Sequence, residues 1–281
     1  MIKSILAAVD GSAPAESAMS EAIAWARALK ANVKAVFVEE EARFMYIPPI
    51  SSVEGGVVVP VPLPEEEYDR ENEKVKAEGD AIRQRYEDML RGTDVQGTFS
   101  RPRGNVNDLL AMEAVVHGMV VMGRRGKNDP PGSTKPGRTT EDLIHASVRP
   151  VLVVPAGTKC KGPALFAYDG SVGANRVLVP GAYLAAQAGY KVHVVTVNKD
   201  RAVGEAVQAH LHEFFGEWGL TAEYEVRSGD AGPEILRATD DAGAGLIVMG
   251  AYGRNPLHDL IFGSVTGQVL EQASCPMLVM A

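Results

Sequence analysis

Three short stretches of this chain occur twice, in the same order and at similar spacing. Ile5-Leu-Ala-Ala-Val-Asp10-Gly-Ser12 returns as Leu165-Phe-Ala-Tyr-Asp169-Gly-Ser171. Val120-Val-Met-Gly123-Arg-Arg-Gly126 returns as Ile247-Val-Met-Gly250-Ala-Tyr-Gly253, and Arg149-Pro-Val-Leu-Val-Val154 as Cys275-Pro-Met-Leu-Val-Met280. A repeat of this kind means that one domain is written twice, so the fold question shrinks to half the chain. The 281 residues are enough for two ordinary domains. They fall at 1–156 and 163–281, joined by Ala156 to Pro163, a stretch with two glycines and a proline.

Each copy alternates short apolar runs with helical patterns, which marks a parallel α/β sheet with crossover helices. In the first copy the pattern predicts strands near 2–9, 33–38, 94–100, 118–122 and 150–154, with helices near 14–30, 65–91, 105–116 and 138–147. In the second it predicts strands near 164–168, 191–197, 221–227, 245–249 and 276–280. The runs are short and β-rich, as strands covered on both faces should be. Pro14, two residues after Ser12, and Pro233, directly after Gly232, mark helix starts. The helix near 65–91 is strongly charged, with Val75, Ile82, Tyr86 and Met89 along one face, an amphipathic cover for the sheet.

The copies differ in length. Asp10 to Gly123 spans 113 positions and Asp169 to Gly250 spans 81, so the first copy carries 32 more, around 39–71. This insertion contains Ile47-Pro-Pro-Ile50 and Val57-Val-Val-Pro-Val-Pro-Leu-Pro64. Its prolines argue against a central strand or helix. An extended arm follows, either solvated or packed. A run as apolar as Val57 to Val61 favours packing, on the partner half or on a second subunit.

The second copy carries the chemistry. After its fourth strand comes Gly250-Ala-Tyr-Gly253, then nine residues, then Gly263-Ser264-Val265-Thr266 and a helical run. Strand, glycine loop and helix start is an arrangement that holds phosphate. Glycine lets the backbone approach the anion, and the first helical N–H groups have no internal partner. Ser264 can add a hydroxyl donor. The spacing is not that of a P-loop, because no Gly-Lys-Ser/Thr closes it, nor is it G-x-G-x-x-G.

Composition narrows the rest. A net charge of −8 argues against a general nucleic-acid or anionic-membrane binder. Cys160 and Cys275 are too few for a disulfide framework, which points to reduced thiols in a cytoplasmic protein. No apolar run reaches the ~18 residues of a membrane span. Asp10 ends the N-terminal apolar run too early for a signal peptide. The six histidines form no metal constellation, and His210 and His212, two apart on a predicted helix, cannot share a face.

The pattern G-x2-G-x9-G-[ST] resembles the ATP-binding loop of the universal stress protein family. Both copies resemble its domains outside the insertion, and the whole resembles the tandem type. The resemblance implies two doubly wound α/β domains, each a five-stranded parallel sheet of order 3-2-1-4-5 with helices on both faces. Strands one and four then meet at the switch point, where ligands of open sheets bind. Asp169 ends the first strand and Gly250 the fourth, so motifs distant in sequence converge on one crevice. On this resemblance Asp169 and the backbone at Val197 would receive an adenosine, and Gly250 would lie against the ribose. Gly253, Arg254, Gly263, Ser264, Val265 and Thr266 would cradle the phosphates. Mg2+ or Mn2+ would bridge phosphate oxygens, with no dedicated protein ligand set.

The first copy departs from this pattern. Ten residues separate Gly126 from Gly137, and Arg138 stands where Ser264 stands. Pro130, Pro131 and Pro136 stiffen the loop and remove N–H donors. ATP binding there is expected to be weak, lost or replaced by another ligand. Arg124, Arg125, Lys127, Lys135 and Arg138 make a basic island in this loop, read either as a solvated tip or as an anion contact that could reach the other half's phosphates.

The functional expectation is an adenine-nucleotide-binding regulator or sensor of the stress response, non-enzymatic or at most a slow ATPase. The alternatives are a structural adaptor with a vestigial pocket and a nucleotide-using enzyme. The enzyme signatures H-x-G-H and S-G-G-x-D-S do not occur, and Asp169 has no Ser-His pair or second carboxylate at useful spacing. The fifth strands, 150–154 and 276–280, would be sheet edges, so the halves can pair through them as an intramolecular pseudo-dimer. A further homodimer could form through the proline-rich arm.

Overall fold

The computed structural model describes residues 2–46, 60–130, 132–251 and 264–281. Among them ten strands form one sheet. The first half supplies β1 (Ser4–Ala8), β2 (Asn32–Val36), β3 (Gly97–Ser100), β4 (Met119–Gly123) and β5 (Val151–Val154). The second supplies β6 (Ala164–Ala167), β7 (Val192–Val197), β8 (Ala222–Arg227), β9 (Leu246–Gly250) and β10 (Met277–Met280). The order across the sheet is β8-β7-β6-β9-β10-β5-β4-β1-β2-β3. Each half therefore runs 3-2-1-4-5, and all its internal pairs are parallel.

The two halves meet through their fifth strands. β10 pairs antiparallel with β5, placing Leu278 opposite Leu152 and Val279 opposite Val151. The edge that each half would present alone is consumed by the other. Side chains alternate across the sheet, so Leu152 and Leu278 enter one core layer, while Val151, Val153, Met277 and Val279 enter the other. All six are essentially buried, and each such side chain contributes about 1.5–3 kcal/mol of burial. The junction is thus core, not a surface contact between tethered domains.

Local sequence explains the helices that frame the crevices. Helix α1 (Ala13–Leu29) starts at Ser12, whose hydroxyl accepts from Ala15 N at 3.3 Å. Its counterpart in the second half, spanning Val172–Ala188, starts at Ser171, which accepts from Ala174 N at 3.2 Å. Chain order then gives α2 (Glu65–Leu90), α3 (Val106–Val115), α4 (Arg138–Ala146) and α5, the Val172–Ala188 helix. α6 (Arg201–Gln208), α7 (Leu211–Glu217), α8 (Ala231–Asp241) and α9 (Ser264–Gln272) complete the set.

Arg124 locks the halves together on one face of the sheet. It follows β4, and its Nη1 donates to the carbonyl oxygens of Leu270, Glu271 and Ala273 at 3.3, 3.2 and 2.9 Å. These are acceptors that the C-terminal end of α9 leaves unpaired, and a cation suits the negative end of the helix. Burial, with Arg125 alongside, holds the Arg124 pKa below its ordinary value.

The described flanks of the insertion pack on their own half. Glu39–Glu40 pairs in parallel with Arg103–Gly104, and Met45–Tyr46 pairs antiparallel with Val61–Pro62. Phe44 is buried against Tyr68 of α2, with ring centroids 5.1 Å apart. Arg43 pairs with Glu71 at 2.7 Å and Glu78 at 2.8 Å on the same helix. Residues 47–59, with Ile47 to Ile50 and most of the Val57 run, lie outside the described residues.

Candidate nucleotide site

A crevice of about 290 Å³ opens at the carboxyl ends of β6 and β9, the switch point of the second half. Ala167, Val195, Val197, Ile235 and Met249 give it an apolar floor. Asp169 stands just beyond the end of β6, and the start of α9 closes the opposite side with Ser264, Val265 and Thr266. Thr266 is buried, and its Oγ1 donates to Gly250 O at 3.1 Å, tying the helix start to the end of β9. Gly250 has no room for a side chain. A Cβ there would lie 2.4 Å from Gly173 C and 2.5 Å from Ala174 N, at the start of α5.

Six of the residues expected from the sequence therefore share one cavity: Asp169, Val197, Gly250, Ser264, Val265 and Thr266. Gly253, Arg254 and Gly263 fall in 252–263, outside the described residues. Asp169 also turns the chain, since its Oδ1 accepts from Ser171 N at 2.9 Å. Tyr168, Ser171 and Ala231 line the crevice without having been singled out in the sequence. Tyr168 is anchored on both sides. Its hydroxyl donates to Asn175 Oδ1 at 2.7 Å and lies 2.8 Å from His210 Nε2, and its carbonyl accepts from Thr196 Oγ1 at 2.6 Å. Those bonds fix the backbone immediately before Asp169. Val195 and Val197, two apart on β7, face the crevice together, and strand alternation alone does not distinguish such positions from ordinary core residues.

The first half repeats the frame with a different loop. Thr140 Oγ1 donates to Gly123 O at 3.1 Å, so Thr140 is the counterpart of Thr266 and Arg138 that of Ser264. A crevice of about 180 Å³ lies here, lined by Asp10, Val36, Val38, Leu110 and Met122, with Arg125, Lys127 and Asp129 from the loop. The basic island turns to protein acceptors. Arg124 reaches the carbonyl end of α9, and Arg125 donates to the carbonyls of Pro130 and Ser133. Lys127 pairs with Glu78, and Arg138 approaches Asp142 at 3.7 Å. Among the described residues no group of three or more His, Cys, Asp or Glu is arranged to hold a metal ion.

The comparisons with known proteins agree with this geometry. The chain matches the universal stress protein family over residues 1–155 and again over 162–281. It is 31% identical over 163 residues to universal stress protein Slr1230 of Synechocystis sp., covering 57% of this chain and 56% of that protein. It is 38% identical over 76 residues to universal stress protein MJ0531 of Methanocaldococcus jannaschii, 27% of this chain and 45% of that one. The chain thus spans about half the length of these curated relatives. The crystal structure of a universal stress protein from Archaeoglobus fulgidus shares the fold, with a TM-score of 0.74 over 99% of this chain and 97% of its own, at 17% identity. The repeat seen in the sequence, the paired 3-2-1-4-5 sheets and a family match to each half converge: the chain belongs to the universal stress protein family.

Proposed function

We propose that the crevice of the second half binds an adenine nucleotide, ATP, with Mg2+ or Mn2+ on its phosphates, and that occupancy makes the protein a regulatory or sensor module in a stress response. The observation that carries this reading is the meeting of Asp169, Val197, Gly250 and the start of α9 on one cavity. The apolar floor suits a planar ring. On this reading the Asp169 carboxylate would accept a hydrogen bond from the adenosine, and Gly250 would lie against the ribose. The first N–H groups of α9 are donors for phosphate oxygens. Gly253, Arg254 and Gly263 would complete the phosphate loop.

The described lining offers one carboxylate, Asp169, too few for a protein cage around a divalent cation. A cation there would be held chiefly by phosphate oxygens, as Mg2+ often is. The described lining holds no His, Cys or Lys, and the reading here is of binding and not of catalysis. Calorimetric titration of the full chain with ATP and Mg2+ tests the proposal. We expect saturable binding, weakened about tenfold or more in Asp169→Ala. Unchanged affinity in that variant would remove the assigned role of Asp169, and absence of binding would remove the proposal. Turnover far above about one per minute would replace the binding reading with an enzymatic one.

A further inference from the structure

The first half holds a carboxylate where the second half presents its helix start. Asp129 Oδ2 accepts from Gly126 N at 2.7 Å. The same oxygen lies 2.2 Å from where a Cβ on Gly137 would stand, so the carboxylate rests on the residue that caps α4. Gly126 and Gly137 are the first-half counterparts of Gly253 and Gly263, the two ends of the glycine loop. One internal carboxylate thus bridges both ends. Beside it, Lys127 N donates to Asp10 Oδ2 at 2.7 Å, while Asp10 Oδ1 accepts from Ser12 N at 2.9 Å. Both oxygens of the carboxylate equivalent to Asp169 are therefore already engaged.

We infer that the first-half crevice is filled in cis at its anion position: the Asp129 carboxylate takes the place of a phosphate group and closes this half to phosphorylated ligands. A carboxylate is attracted to a helix N-terminus by the same partial charge that attracts phosphate. Once seated, it uses the Gly126 donor and repels a second anion. Glu141 in the first turn of α4 is raised in pKa chiefly by burial and Asp142, with Lys135 opposing and Asp129 adding the smallest contribution. Arg43, Arg125 and Lys127 face the crevice against Asp10, Glu40 and Asp129, so removing one carboxylate tips the lining toward positive charge. This inference concerns the first half alone and stands whether or not the second half binds ATP.

The test is an NMR titration of the 15N-labelled full chain with tripolyphosphate, following the amides of Gly126 and Arg138 to Thr140. In the wild type we expect no saturable shift at these amides. Asp129→Ala should create one, with affinity raised about tenfold or more, the scale of a charge-assisted contact. Asp129→Asn keeps the volume and an acceptor for Gly126 N but loses the charge, so it should show a smaller gain and guards against a variant that fails to fold. Saturation of the wild-type amides at the concentrations that saturate the variants would overturn the inference. So would a folded Asp129→Asn or Asp129→Ala protein with no gain. The amides of Ser264 to Thr266 report the second half, and a parallel titration with ATP and Mg2+ reads the second-half proposal there, so its failure is not confused with failure of this one.

Discussion

Thr266 Oγ1 donates to Gly250 O at 3.1 Å, and Thr140 Oγ1 makes the same bond to Gly123 O at 3.1 Å in the other half. Both threonines are buried, and each joins the start of a helix to the end of a fourth strand. The pair shows that the frame of the crevice is held by internal bonds and is common to both halves. What differs is the loop hung on that frame.

Thr266→Val should therefore cost about 1–2 kcal/mol, because the Gly250 carbonyl loses a buried donor. It should also lower ATP affinity, since the start of α9 loses its anchor. Thr266→Ser should recover both. Urea denaturation and ATP titration measure the two effects, and equal stability of the valine variant would contradict the account.

The closeness of Gly250 to α5 makes a second test. A Cβ at 2.4 Å from Gly173 C meets backbone, which cannot swing aside. Gly250→Ala should destabilise by about 1–3 kcal/mol through overpacking. Gly267, inside α9, has nothing within 4 Å of an added Cβ. Gly267→Ala should instead stabilise by about 0.5–1 kcal/mol, by the helix preference for alanine. Denaturant midpoints of the two variants should move in opposite directions.

Arg124→Ala removes three hydrogen bonds from a charged donor to the carbonyl end of α9. We expect a loss of about 2 kcal/mol, the usual scale for bonds to a charged group that also leave acceptors unpaired. Hydrogen exchange should rise at the last turn of α9 and leave β1 and β2 unchanged. A uniform rise across the chain would show that Arg124 does not act at the junction.

Glu21 gives a pH dependence with a definite sign. It is buried on α1 at 4% exposure and accepts from Cys160 N at 3.1 Å. Burial raises its pKa above the ordinary 4.5, and the Cys160 bond and the Lys159 charge offset that only in part. The folded state then binds the proton more tightly than the unfolded one. The resulting stability is present below 4.5 and is lost as pH rises through the folded pKa. Glu21→Gln should be the more stable protein at neutral pH, with its advantage shrinking as the pH falls toward 4. Thermal melts across that range measure it, and a difference independent of pH would contradict the assignment.

Much of this was legible in the sequence. The repeat gave the halves, and Asp169 and Gly250, far apart in the chain, marked the crevice because each ends a strand at the switch point. The apolar fifth strands announced a pairing, and Leu278 stands opposite Leu152. Arg124 was not legible, because its partners are main-chain carbonyls of residues 146 to 149 positions away. Asp129 was hidden for the same reason, as its target is a backbone N–H. The apolar run Val57 to Val61, from which packing of the arm was expected, lies mostly outside the described residues; on its flank, Glu71 and Glu78, seven apart on α2, offer Arg43 two carboxylates on one helical face.

The central claim is that the two crevices differ in what they hold. The most direct measurement is to denature freshly purified protein and identify the released nucleotide by chromatography, with its molar ratio to chain. We expect about one ATP per chain, bound at the glycine loop and helix start of the second half. About two per chain would contradict the closed first half. None, with no binding after ATP and Mg2+ are added, would contradict the nucleotide site itself.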